Sequence, residues 1–200
     1  VTTSSPAAAP TATRTQRLRA ATDVAHRRLD QAVMALDPFG DRVRYARLLA
    51  IHRDFHALIA PLYAAPSLAA LIPDLAARAR LAAIEQDAAD LHLTLASPPS
   101  PRFVAGVAPD RGTALGWLYV AEGSSLGAAI LLKAAMTLGL GPSFGARHLA
   151  GHAGGRARHW RDFTAAVDAI ALSADEEERA VAGAREAFDA VAARVRRDAP

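Results

Sequence analysis

Apolar residues recur at three- and four-residue spacing along most of this chain, and no alternating run of useful length occurs. That pattern puts side chains on stripes of helices and leaves no basis for a half-buried strand. Alanine supplies 50 of the 200 residues, and aromatics only 6%. Ala and Leu have the best helix propensities, so propensity and pattern agree on an all-α fold.

The spacing predicts a helix over about 15–36, with Leu18, Ala21, Ala25, Leu29, Ala32 and Leu36 on its apolar stripe. Thr13 or Thr15 can cap its start, and Pro38 stops it. Further helices are expected over about 41–63, 73–95, 111–138, 156–172 and 174–197. A Gly-rich loop is expected over 139–155. Ser173 followed by Glu176 reads as a capping box for the last helix. Residues 1–14 read as a disordered N-terminal tail, because Thr, Ser, Ala and Pro bury too little surface to repay ordering. Residues 15–200 then form a single-domain helical bundle.

Composition narrows the chemistry. With no Cys in the chain, disulfides, Cys-ligated zinc, iron–sulfur clusters and thiol nucleophiles are excluded. A net charge of +3, with 22 Arg and one Lys among the basic residues, is too small and scattered for nucleic acid. The most apolar stretch, 114–140, is broken by Glu122 and Lys133 and reads as a buried helix, so no membrane span is expected. A cytoplasmic location is expected.

Histidine is then the leading candidate metal ligand. His52 and His56 share a helix face, but without the Glu of a zinc-protease motif they read as ordinary, partly exposed imidazoles. His148, His152 and His159 lie in or beside the Gly-rich loop, which leaves a loose metal site open. No Glu-x-x-His pair occurs, against a carboxylate-bridged di-iron centre. His26 has a better setting. Arg19, His26 and Asp30 lie on one helix face, so Asp30 can hold the second imidazole nitrogen of a metal-ligating His26. Arg19, about 10 Å along the axis, can meet a carboxylate at the edge of a large flat ligand.

The fourth helix carries Gly116, Gly123 and Gly127 on one stripe. Each mid-helix Gly costs about 1 kcal/mol relative to Ala. Either another helix packs very closely there, or a flat ligand presses on bare backbone. Tyr119 flanks the same face.

Leu18, Thr22, His26, Leu29 and Asp30 resemble the proximal-helix signature of haem oxygenases. Residues Gly116 to Ala129, reading GWLYVAEGSSLGAA, resemble the distal helix of that family's bacterial branch. The segment from His148 to Arg161 is similar to that branch's later loop and helix. The similarity covers about 17–197. It implies an all-α bundle with haem b sandwiched between a proximal and a distal helix. It implies His26 as axial iron ligand, and Gly123, Ser124 and Gly127 over the other haem face. Arg19 and Tyr119 would lie near the propionates, with Lys133 as a further propionate partner. Animal members carry an acidic residue after the distal Gly; this chain has Ser124 there, so no distal carboxylate is expected.

The implied reaction uses haem as both cofactor and substrate. Dioxygen and electrons open the macrocycle to biliverdin, carbon monoxide and ferrous iron. A basic residue and a tyrosine at the matching positions imply the IXα isomer. Electrons would come from an external reductase or ferredoxin-type donor, because no flavin or nicotinamide fingerprint is present. Iron acquisition and supply of a bilin-binding photoreceptor are both open destinations. A haem carrier on the same fold, without turnover, is the other reading.

Overall fold

The computed structural model describes residues 12–198. Seven α-helices occur among them: α1 (Arg14–Ala35), α2 (Arg42–Tyr63), α3 (Pro66–Ala69), α4 (Leu81–Asp90), α5 (Arg111–Ala135), α6 (Arg156–Ala169) and α7 (Ala174–Asp198). No strand occurs among the described residues. Thr13 caps α1 in a reciprocal box with Gln16, so the helix begins at Arg14. Arg14 is buried, pairs with Glu177 at 2.7 Å and donates to the carbonyls of Val167 and Ile170. The expected N-terminal tail otherwise falls almost wholly outside the described residues. The Ser173–Glu176 box at the start of α7 forms as expected.

The third expected helix differs most. Instead of one helix over 73–95 there is a 3-10 turn at Leu75–Arg78, a break, and α4. The chain enters the turn through Asp74 in the left-handed region, at φ 56°, and leaves it through an extended Ala79. Arg78 is drawn inward to a buried carboxylate, and that tertiary bond outweighs the Ala-rich propensity. After Asp90 the chain turns at His92, again left-handed, while Asp87 and Asp90 bond the backbone near residues 145–148. The expectation also missed the single turn α3, where Pro66 stands at the first helical position that suits proline.

Helix α5 is the central element and pairs most extensively with α7; α1 also lies on α7. The main apolar cluster joins Leu18, Ile59, Leu62, Leu115, Leu118, Phe163, Ala180 and Ala184 from five helices. A second cluster holds Tyr45, Leu48, Ala128, Ala135, Leu140 and Leu149. Helices α1 and α5 contribute to both, through Ala25 and Tyr119 at one end and Val33 and Leu131 at the other.

Candidate active site

The two halves of α5 use their glycines differently. A Cβ on Gly116 would overlap the Ala180 carbonyl oxygen and lie 2.6 Å from the Ala184 nitrogen. A Cβ on Gly183 of α7 would lie 2.6 Å from the Thr113 carbonyl oxygen. This half is therefore a helix-packing seam. Gly123 is different, since its Cβ would meet only the Trp160 ring, at 3.5 Å. A Cβ on Gly127 would meet nothing within 4 Å. Ser124, Leu126, Gly127, Ala129 and Ile130 are all exposed. The close-packing explanation of the glycine stripe holds at Gly116, and Gly127 has open space beside it instead.

On α1, His26 is exposed, with its ring edge-on to Phe188 at 5.8 Å. Its Nδ1 lies 3.4 Å from a carboxylate oxygen of Asp30. A proton placed on Nδ1 would face that carboxylate, which would leave the Nε2 lone pair for a ligand. Arg19 is exposed on the same helix. Burial pushes the Tyr119 phenol up, and the Arg19 guanidinium is close enough to work against that shift. Arg19 on α1 therefore lies within electrostatic reach of Tyr119 on α5. Tyr119 also tilts against Trp160, at 5.6 Å between ring centres. Lys133 is exposed in the last turn of α5, about 21 Å along the helix from Tyr119. It stands far from the Arg19–Tyr119 edge.

These features fit haem. An exposed imidazole with a carboxylate beside its Nδ1, a cation on the same helix, a phenol on α5, and a glycine-bearing stretch of α5 would suit a flat, iron-bearing dicarboxylate. The Ser124 hydroxyl donates to the Ala121 carbonyl at 2.7 Å, which leaves its oxygen as an acceptor.

A buried polar group behind α5 went unforeseen. The Glu122 carboxylate accepts from the Tyr63 hydroxyl at 3.0 Å and from Arg78 at 3.0 Å. His159 Nε2 lies 3.4 Å from the same carboxylate. Burial raises the Glu122 pKa, and Arg78 opposes the rise. A carboxylate directly before Gly123 is therefore part of the helix support, although none follows that glycine. A lone Glu inside a long apolar stretch was the available signal, because a buried charge demands partners.

The remaining histidines also depart from expectation. His56 is buried, not partly exposed, and its Nδ1 has no hydrogen-bond partner. His52 Nδ1 meets His148 Nε2 at 3.0 Å, and His148 Nδ1 meets Asp87 at 2.7 Å. His152 and His159 stack with ring centres 3.3 Å apart. No group of three or more His, Asp or Glu could hold a metal ion among the described residues. The loose metal site considered at His148, His152 and His159 is replaced by hydrogen bonding and stacking.

The fold defines a class: all-helical proteins built round one long central helix, here α5 packed on α7. The family model for heme oxygenase matches residues 12–197. The chain is 44% identical over 176 residues to heme oxygenase PigA of Pseudomonas aeruginosa, covering 88% of each chain. It superimposes with a TM-score of 0.87 on the crystal structure of the NO- and CO-bound heme oxygenase from Neisseria meningitidis. That match has 37% identity and covers 94% of this chain and 92% of the other. The chain belongs to the heme oxygenase family. It is an oxidoreductase that degrades haem, using dioxygen and an external reductase as electron donor.

Proposed function

We propose that haem binds between α1 and the exposed half of α5, with His26 as axial iron ligand, and that the ring is opened mainly at its α-meso carbon. Two observations support this reading: an exposed His26 with its Nδ1 3.4 Å from Asp30, and open space beside Gly127. Bound there, haem supplies the iron for dioxygen activation and is itself the substrate, giving biliverdin, carbon monoxide and ferrous iron.

The chain's own groups do the following. Asp30 keeps the His26 proton on Nδ1 and so presents Nε2 to the iron. Gly123 and Gly127 allow the haem face to approach the helix backbone. Ser124 Oγ, its proton given to Ala121, accepts from water and holds it near the distal face. Arg19 offers a charge-assisted, directional hydrogen bond to a propionate, and Tyr119 reinforces the same edge. Lys133 stands at the other rim and would take a propionate only if the disc were turned. A ferredoxin is the finer proposal for the electron donor. The need for a reduced donor is the ground for a cytoplasmic location.

Adding haemin to the purified protein tests the reading through the Soret band. A band that forms and then decays to biliverdin on adding reductant and dioxygen supports it. A Soret band that forms and persists through that treatment indicates a carrier, and no Soret band removes haem altogether.

A further inference from the structure

Helix α6 presents three side chains to a single turn of α5. Arg156, His159 and Trp160 are spaced i, i+3 and i+4 and share a helix face. Trp160 lies against Gly123, and His159 faces the Glu122 carboxylate. Arg156 donates one Nη to the Ser125 carbonyl oxygen at 2.8 Å and the other to the Leu149 carbonyl. No carboxylate pairs with Arg156 among the described residues. Its charge is directed at two main-chain carbonyls, one on α5 and one on the turn that precedes α6. Gly151 makes room, because a Cβ there would lie 3.3 Å from Arg156 Cγ.

Ser125 is half-buried and stands midway in sequence between Gly123 and Gly127, on the turn of α5 that joins them. A helix carbonyl already accepts from the amide four residues on, and a second, charged donor tilts it outward, lengthens the helix bond on that side and curves the helix convex toward that donor. We propose that Arg156 is a positioning residue that sets the height of the Gly123–Gly127 backbone above the bound haem. The proposal rests on the reading that this segment faces haem.

Hydrogen exchange in the haem-free protein tests the tether directly. In Arg156→Met the amides of residues 126–130 should exchange at least about tenfold faster, as loss of a charge-assisted hydrogen bond implies. Amides in the middles of α1 and α2 should not change. The balance of high- and low-spin bands in the ferric haem complex should shift in the same variant. Arg156→Lys, which keeps one charged donor, should recover part of both effects. An unchanged exchange profile in Arg156→Met overturns the proposal, as does acceleration that is uniform over the whole chain. A Lys variant indistinguishable from Met also overturns it. If Arg156→Met does not fold, Gly151→Ala, which pushes on the Arg156 stem, is read by the same two measurements. If the wild-type protein takes up no haemin, the functional reading falls and this proposal with it. If haemin binds and exchange is unchanged in the variant, this proposal alone falls.

Discussion

At the scale of residues, the proposed site separates ligation from orientation. His26 is on the exposed face of α1, so His26→Ala removes an imidazole without opening a cavity, and Ala is the better helix former. The variant should keep its melting temperature, bind haem more weakly and lose turnover by more than about 100-fold. Added imidazole should restore part of the Soret spectrum. Unchanged spectra in the variant would reassign the ligand. In the proposed site, orientation is assigned to Arg19 of α1 and Tyr119 of α5, which lie within electrostatic reach of each other. Arg19→Asn with Tyr119→Phe removes the charge and the phenol hydroxyl, keeps the aromatic ring, and shortens only an exposed side chain. Chromatography of the biliverdin products should show mainly IXα from the wild-type protein and mixed isomers from the double variant, with His26 ligation intact. A non-α product from the wild type, or an unchanged ratio in the variant, would mean that these two groups do not set the rotation.

At the scale of elements, the glycines of α5 are close-packed in one half and open in the other, and substitution separates the two settings. Gly116→Ala places a Cβ inside the α5–α7 seam against the backbone of Ala180 and Ala184, which cannot swing aside. Overpacking of this kind costs about 1–3 kcal/mol, and thermal unfolding should register it while haem still binds to the folded fraction. Gly127→Leu puts a side chain into open space on a helix that gains propensity. That variant should melt no lower than the wild type and show a weak Soret band with low turnover. A stable, fully active Gly127→Leu protein would contradict the proposed distal surface. The same contrast explains what was legible in the sequence. His26, Asp30 and Arg19 share one helix, so their relation is local and follows from 3.6-residue spacing. The boundaries of α1, α5 and α7 were legible for the same reason, through caps and periodicity. The broken segment before α4 was not, because its cause is Arg78 reaching Glu122, 44 residues on. The glycine stripe read as one feature, since periodicity reports which residues share a face and not what that face meets.

At the scale of the whole molecule, a polar seam joins α2, α4, α5, α6 and the segment between α5 and α6. Asp87 accepts from the backbone nitrogens of Arg147 and His148 and from His148 Nδ1, and His148 meets His52 on α2. Arg80 approaches His152 at 2.5 Å, and Arg78 approaches His159 at 2.9 Å. Four histidines in and beside this seam, His52, His56, His152 and His159, have their pKa values lowered. Burial, aided by Arg80 and Arg78, lowers His152 to about 4, and burial with Arg78 lowers His159 to about 4. Burial, then His148 and Arg80, lowers His56 to about 3; His52 is lowered by burial and by His148. In the unfolded chain each would bind a proton near pH 6.5. Below that value the unfolded state therefore holds more protons than the native state, and stability must fall as pH falls. The loss begins near the unfolded value and continues until the native groups protonate, near pH 4 for His152 and His159. Glu122 acts in the opposite direction, since its raised pKa lets the native state bind a proton early, but it is one group against these four. Each unmatched proton contributes a slope of up to about 1.4 kcal/mol per pH unit. Urea unfolding midpoints of the haem-free protein should therefore drop steadily from about pH 7 to about pH 4. Replacing His152 and His159 together by Asn, which can still accept from Arg80 and Arg78 but does not titrate, should flatten that slope. A double variant with the wild-type slope would mean that the stacked pair does not carry its share of the acid sensitivity.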